Sequence, residues 1–204
     1  MNKNFNRALS APSFSSVAIV AGGILLLAAF RVLRATWLPE LPNFSPFAAV
    51  AFCGGFFLPG VIGWALPIGA LFLSDLLLNL FLGYEIIGSG QMAAWGSMIF
   101  IVALSRVIAA SGKFSYPMFF TGVFASSLGF YAITNAVCWL TNPDYPRGLA
   151  GLWMSLTTGL PGFPPSWVFF RNSLGSDFLF AALILTAWNL ARSRQGACLQ
   201  SAQR

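Results

Sequence analysis

The chain has 204 residues, of which 57% are hydrophobic and only 8% are charged. A soluble domain usually carries about a quarter charged residues, so long apolar runs in this composition predict an all-α integral membrane protein. The net charge of +6 does not indicate nucleic-acid binding, because the eleven basic residues are scattered along the chain. Histidine is absent, which excludes Ser-His-Asp and Cys-His catalysis and HExxH zinc sites.

Six apolar runs predict six transmembrane helices in a single membrane domain. They lie near residues 14–33, 46–58, 61–82, 92–110, 117–140 and 175–190. The second run has thirteen residues, or about 20 Å of helix, which is less than the roughly 30 Å of a hydrocarbon core. Ser45 and Pro46 predict its start, as a capping residue followed by proline at the first helical position.

Six spans place both termini on the same side of the membrane. Seven basic residues lie on that side and four on the other, which predicts cytoplasmic termini. Residues 1–13 then form a cytoplasmic N-terminus, 191–204 a disordered cytoplasmic tail, and 141–173 a long outer loop. Within this loop Leu149–Leu160 is expected to be a short interfacial helix. Counting Leu149–Phe170 as a seventh span is the alternative, and it would place the tail outside.

The outer loops are longer than the cytoplasmic turns and are rich in aromatic residues. Such loops over a polar interior are typical of a lid on a binding cavity, and an aromatic belt at the membrane interface is the alternative. The aromatic residues expected to pack against the apolar part of a ligand are Trp37, Tyr84, Trp153 and Trp167.

Ionisable residues inside apolar runs are costly, so they require partners or a function. Asp75, Arg171 and Asp177 are expected to face one polar interior. Arg171 is the expected partner of Asp75, because a facing guanidinium keeps a carboxylate charged through paired hydrogen bonds. This pair either binds a polar group of a substrate or locks two helices together.

Asp177 follows Arg171 by six residues, about 240° around a helix, so the two do not share a face. A hydrogen bond to Asn135 or Thr134 is its expected use. The remaining candidate substrate-binding residues are Asn43, Asn79, Asn135 and Asn172.

A series of motifs occurs in a characteristic order between Leu41 and Ala182. They are Leu41-Pro42-Asn43-Phe44-Ser45-Pro46, Leu73-Ser74-Asp75-Leu76, Thr134-Asn135, Tyr145-Pro146 and Phe170-Arg171-Asn172. In this order the chain resembles a bacterial family of uncharacterised six-helix membrane proteins. That family is similar to the S components, the substrate-binding subunits of energy-coupling-factor vitamin transporters.

The resemblance implies an S-component-like bundle in the bacterial inner membrane, with a small-molecule pocket under the outer loops. It implies uptake of a vitamin-like molecule from the outer side. The partner implied for ATP-driven uptake is a coupling membrane subunit with two ATPases.

The first hypothesis is therefore a membrane substrate-binding or transport protein. The alternative is a non-transporting scaffold subunit of a cell-envelope complex, in which Asp75 and Arg171 are a structural lock. A ligand-sized cavity lined by the pair would favour transport, and burial without a cavity would favour the scaffold. An enzyme would need an aspartate nucleophile or a recruited metal, with Asp75 and Asp177 as its acids. We expect no enzyme, no resident cofactor and no metal.

Overall fold

The computed structural model describes residues 14–37, 42–83, 87–112 and 114–201. Within these residues the chain forms seven α-helices and no strand, which confirms the predicted all-α class. The helices are α1 (Phe14–Trp37), α2 (Phe47–Phe57), α3 (Ile62–Leu82), α4 (Ser89–Ala110), α5 (Tyr116–Thr141), α6 (Leu149–Leu156) and α7 (Ser166–Ser201). The candidate residue Tyr84 and the predicted N-terminal segment 1–13 lie outside the described residues.

Among the described residues, four stretches are long and apolar enough to cross a membrane. They are α3, α4, α5 and Ser166–Leu190 of α7. At most 33% of the apolar window of each stretch is buried inside the protein. Their remaining apolar surface therefore needs an apolar surrounding, which a lipid bilayer provides.

The short helix α2 lies at the centre of the bundle, where it packs against α3, α4, α5 and α7. Eight of its eleven residues are buried. Small residues allow this close packing: a Cβ on Gly54 would lie 3.2 Å from the carbonyl oxygen of Gly63, and a Cβ on Gly55 would clash with Ser105. Because other helices surround it, α2 can be shorter than a helix that faces lipid along its whole length.

The predicted start of α2 is wrong by one residue. Pro46 occupies the N-cap position, and α2 begins at Phe47. The Ser45 hydroxyl accepts the Phe47 N–H at 3.4 Å, as expected of a capping residue, and the Ser45 backbone N–H and carbonyl both bond the hydroxyl of Ser176, at 3.3 and 3.0 Å.

The last helix differs most from the prediction. It begins at Ser166, nine residues before Gly175, and it continues to Ser201 through the tail that was expected to be disordered. Pro164 and Pro165 precede it, so the helix starts directly behind the proline pair. Part of the predicted outer loop, including Arg171, is therefore helical.

The short helix expected near Leu149 is present, but it ends at Leu156. Eight residues make about 12 Å of helix, which is too short to cross a bilayer. Gly159 and Gly162 then adopt left-handed conformations, with φ of 69° and 88°. A seventh span over Leu149–Phe170 is therefore wrong.

The helix termini form two ends of the bundle with different partners. At one end, which we call the pocket end, Thr141 of α5 donates to Ser89 of α4 at 3.1 Å, and α7 contacts the chain before α2. At the opposite end, the turn end, Arg106 Nη2 of α4 donates to the carbonyl of Gly60 at 2.6 Å. The candidate residues lie toward the pocket end.

Candidate small-molecule site

The buried carboxylate of Asp75 connects three helices. Arg31 of α1 is its ionic partner, through Nη1 and Oδ1. The same Nη1 donates to Ser74 Oγ at 2.7 Å, and Trp95 Nε1 of α4 donates to Asp75 Oδ2 at 2.9 Å. Both carboxylate oxygens are thus occupied by groups from α1 and α4. The predicted pairing of Asp75 with Arg171 is wrong.

Arg171 lies on the exposed side of α7 and interacts with its own helix. Its Nε and Nη2 both lie 3.3 Å from Asn172 Oδ1. Its guanidinium carbon lies 5.4 Å from the centroid of the Trp167 ring, at cation–π distance. Because α7 begins earlier than predicted, Arg171 lies within the helix, and its side chain there is exposed.

The second buried carboxylate, Asp177, joins α7 to α2 and α5. Its Oδ1 accepts the backbone N–H of Ala49 at 3.1 Å, and its Oδ2 accepts the Ser127 hydroxyl at 2.6 Å. Ala49 is the third residue of α2, where N–H groups have no partner within the helix. Asp177 therefore caps α2 from another helix and complements the positive end of its dipole.

The predicted partners of Asp177 are wrong for a local reason. Asn135 Nδ2 donates to the Tyr131 carbonyl at 2.8 Å, and Thr134 Oγ1 donates to the Phe130 carbonyl at 2.8 Å. Both side chains bond the preceding turn of α5, as amide and hydroxyl groups in apolar helices often do.

The first turns of α7 hold the chain that leads into α2. Asn172 Nδ2 donates to the Pro42 carbonyl at 3.1 Å, and Ser173 Oγ donates to the Asn43 carbonyl at 3.3 Å. Asn43 has a φ of 59°, in the left-handed region that asparagine tolerates better than most residues. These hydrogen bonds fix the position of Asn43.

Next to Asn43 lies a cavity of about 140 Å³, which we call the arginine cavity. Its wall carries both charged and neutral polar groups, together with apolar residues of α2, α3, α4 and α5. The polar lining residues are Arg31, Arg34, Asn43, Ser45, Ser173 and Asp177.

Asn43 also lines a second cavity, of about 290 Å³, which we call the amide cavity. Its polar lining residues include Asn43, Thr134, Asn135, Asn142 and Tyr145, and none of the described residues that line it is charged. Burial and the nearby Cys138 raise the pKa of the Tyr145 phenol above its ordinary value, so its hydroxyl stays protonated. The apolar wall includes Leu160, Phe163 and Phe169.

The structure brings two of the predicted site residues, Asn43 and Asn135, onto cavity walls. Asp75 and Asn172 are buried and engaged within the protein. Trp37, Trp153 and Trp167 are 78%, 69% and 52% exposed, which fits the alternative of an interfacial aromatic belt. The predicted residues that do not line either cavity are Trp37, Asp75, Asn79, Trp153, Trp167, Arg171 and Asn172.

Sequence reasoning missed several residues of the cavity walls, among them Arg31 and Arg34. Both were interpreted as charges that close the first span. Their spacing of three residues places them about 60° apart on one helix face, which is a signal for a shared site. Asn142 and Tyr145 were missed because they lie in a loop, where no periodicity shows which way a side chain points.

The long apolar helices define a multi-pass helical membrane protein, and polar cavities lie toward one end of its bundle. A family model matches residues 12–199, and the chain belongs to that family, a family of unknown function designated DUF6580. No curated protein and no solved structure matches the chain. The expected membership of an uncharacterised family is confirmed at this level, and the match carries no link to S components.

Proposed function

We propose that the protein binds a small, vitamin-like molecule at the pocket end and takes it up across the bacterial inner membrane, as S components do. The observation that carries this proposal is the pair of cavities, of about 140 and 290 Å³, that share Asn43. Small-molecule sites are concave and largely apolar, with a few placed polar groups, and the amide cavity has this composition.

The proposal includes an orientation. The helices α1 to α5 and α7 are the six spans, the termini lie in the cytoplasm, and the pocket end faces outward. The excess of basic residues on the side of the termini supports this arrangement. A coupling membrane subunit with two ATPases would be the partner in ATP-driven uptake.

The amide cavity suits a flat, uncharged part of the ligand. The amides of Asn43, Asn135 and Asn142 can each donate and accept hydrogen bonds, and the protonated Tyr145 hydroxyl can do the same. Phe163 and Phe169 offer ring faces and edges for stacking. A heterocyclic ring could hydrogen-bond the amide and hydroxyl groups and stack on the phenylalanine rings.

The segment 157–165 between α6 and α7 forms the movable part of the wall. Its two ends are attached, because the Tyr131 hydroxyl bonds the Leu156 carbonyl and the Trp167 N–H donates to the Thr157 carbonyl at 3.3 Å. Between these attachments lie Gly159 and Gly162, so the segment can change its backbone at low cost. Ligand entry from the pocket end would proceed by displacing this segment.

A scaffold subunit is the second candidate, and one observation favours it. Asp75 and Asp177 both join helices, and Asp75 does not line either cavity. Two of the most conspicuous polar residues are thus structural locks. The cavities favour binding instead, since a scaffold has no need of space between its helices.

Native mass spectrometry of the gently extracted protein tests the proposal. We expect a small molecule to co-purify with the wild type and to be lost from Asn135→Leu. This variant should fold, because Asn135 gives up only a hydrogen bond within its own helix. The matched control is Asn79→Leu, which changes the same group on α3, away from both cavities.

Retention of the molecule by Asn79→Leu is the expected control result. If the folded wild type carries no small molecule, the scaffold becomes the better explanation. Equal loss from both variants would also contradict the proposed site.

A further inference from the structure

We infer that the arginine cavity binds a carboxylate of the ligand, and that Arg31 is shared between this carboxylate and Asp75. The inference rests on the proposed function and narrows it to one substrate class, an organic acid with a ring. The ring would lie in the amide cavity and the acid group would pass Asn43 into the arginine cavity.

The charges on the cavity wall favour an anion. Two arginines, Arg31 and Arg34, and one acid, Asp177, line the cavity. The oxygens of Asp177 are occupied by the Ala49 N–H and the Ser127 hydroxyl. Phe47 and Ala48, the first residues of α2, also line this cavity, and a ligand carboxylate would share the positive end of this helix with Asp177.

The same wall limits the charge of the anion to about one unit. Asp177 would repel a doubly charged group such as a phosphate, and Asp75 already neutralises part of Arg31. A single carboxylate can accept paired hydrogen bonds from a guanidinium fork. The cavity volume of about 140 Å³ accommodates such a group.

Arg31 stands between Asp75 and the cavity. Its Nη1 bonds Asp75 and Ser74, while its guanidinium carbon lies 5.8 Å from the ring centroid of Phe47, a residue of the cavity wall. A carboxylate in the cavity would therefore compete with Asp75 for the same guanidinium. Removing the charge of Asp75 should strengthen carboxylate binding, although Asp75 does not line the cavity.

Two probes of equal shape test the inference: benzoate and its neutral analogue benzamide. Equilibrium dissociation constants for the purified full-length protein in detergent are measured by ligand-detected NMR. In the wild type we expect benzoate to bind at least about tenfold more tightly than benzamide, a difference of about 1.4 kcal/mol. Arg34→Gln should abolish this preference, and Arg34→Lys should keep part of it.

Asp75→Asn is the most discriminating variant. We expect it to tighten benzoate binding by about threefold or more, while benzamide binding stays the same. The matched control is Arg171→Gln, which removes a guanidinium that does not line either cavity. It should leave both dissociation constants unchanged. If Asp75→Asn fails to fold, Arg34→Gln, Arg34→Lys and the control Arg171→Gln still test the inference.

Three outcomes would overturn the inference. The first is that the wild type binds the two probes equally or binds neither. The second is that Arg171→Gln and Arg34→Gln lose the preference for benzoate to the same extent. The third is that folded Asp75→Asn binds benzoate more weakly than the wild type. The proposed function fails separately, because it depends on a co-purifying molecule. If a neutral molecule co-purifies and the protein shows no preference for benzoate, the proposed binding function is kept and only the carboxylate inference is rejected.

Discussion

The turn end and the pocket end of the bundle solve the same packing problem with different residues. At the turn end aromatic rings fill the space between the helices. Phe57 stacks on Trp188 with centroids 4.8 Å apart, and Phe52 meets Phe119 edge to face at 5.3 Å. Rings adapt to one another by sliding and tilting, so they pack densely without fixed bond directions.

At the pocket end, carboxylate, guanidinium and amide groups meet instead. Asp75 and Asp177 must satisfy their oxygens at hydrogen-bond distances and angles, which fixes the helices around them. Helices held by directional bonds leave space that rings would have filled, and both described cavities lie there. The comparison indicates that the turn end is densely packed and that the pocket end contains the space that the proposed binding requires.

The largest effect is expected from Phe119→Ala at the turn end. Phe119 is fully buried and its ring contacts Phe52, Phe56 and Phe57. Its removal should lower the free energy of unfolding by about 3–5 kcal/mol, measured by SDS unfolding followed by circular dichroism. The control Phe124→Ala, on the same helix and 42% exposed, should cost far less. Similar losses in both variants would contradict a stabilising ring cluster.

Gly55→Ala tests whether the turn end depends on close helix contact. A Cβ on Gly55 would clash with Ser105 Oγ and would lie 2.9 Å from the Val102 carbonyl, so α2 and α4 would have to separate. We expect a loss of about 1–3 kcal/mol in the same unfolding measurement. Gly96→Ala in α4 is the control, because nothing lies within 4 Å of the added Cβ. A neutral Gly55→Ala would show that α2 has room to move.

Two adjacent serines of α5 sharpen the comparison at the pocket end. Ser127 donates to the carboxylate of Asp177, whereas Ser126 donates to the Gly122 carbonyl of its own helix. Ser127→Ala should cost about 1–3 kcal/mol, because the buried carboxylate loses a donor. Ser126→Ala should change the unfolding free energy by less than about 0.5 kcal/mol. Equal effects would mean that Asp177 does not hold the bundle together.

The all-α class and the existence of each helix could be predicted, because hydrophobic runs bounded by Pro, Gly and charges record them directly. The beginning of α7 could not. Arg171, Asn172 and Ser173 are polar in the sequence and suggest a loop. In the structure, Asn172 and Ser173 donate hydrogen bonds to carbonyls of the chain before α2. Polarity in that stretch reflects tertiary contacts, which a local pattern cannot show.

The partners of the buried carboxylates illustrate a second limit. Sequence identified Asp75 and Asp177 as residues that need partners, and the structure satisfies both. It could not choose the partners, because that choice depends on which helices are neighbours and at what height their side chains lie. Arg31 meets Asp75 because α1 packs on α3. Asp177 instead meets a backbone N–H, which no side-chain pattern could reveal.

The smallest effect in stability is expected at Asn43, where the backbone and the site can be separated. Asn43→Gly removes the amide and keeps the left-handed backbone at φ 59°, so its stability should stay near that of the wild type. Asn43→Ala removes the same amide and adds strain of about 1 kcal/mol.

Since the amide lines both cavities, both variants should weaken benzoate binding by a similar factor, although their unfolding free energies differ. If benzoate binding is weak in Asn43→Ala and intact in Asn43→Gly, binding follows stability. Asn43 would then serve only to hold the left-handed backbone at the pocket end. If benzoate binding is weakened equally in both variants, the Asn43 amide contacts the ligand, where the ring is joined to its carboxylate.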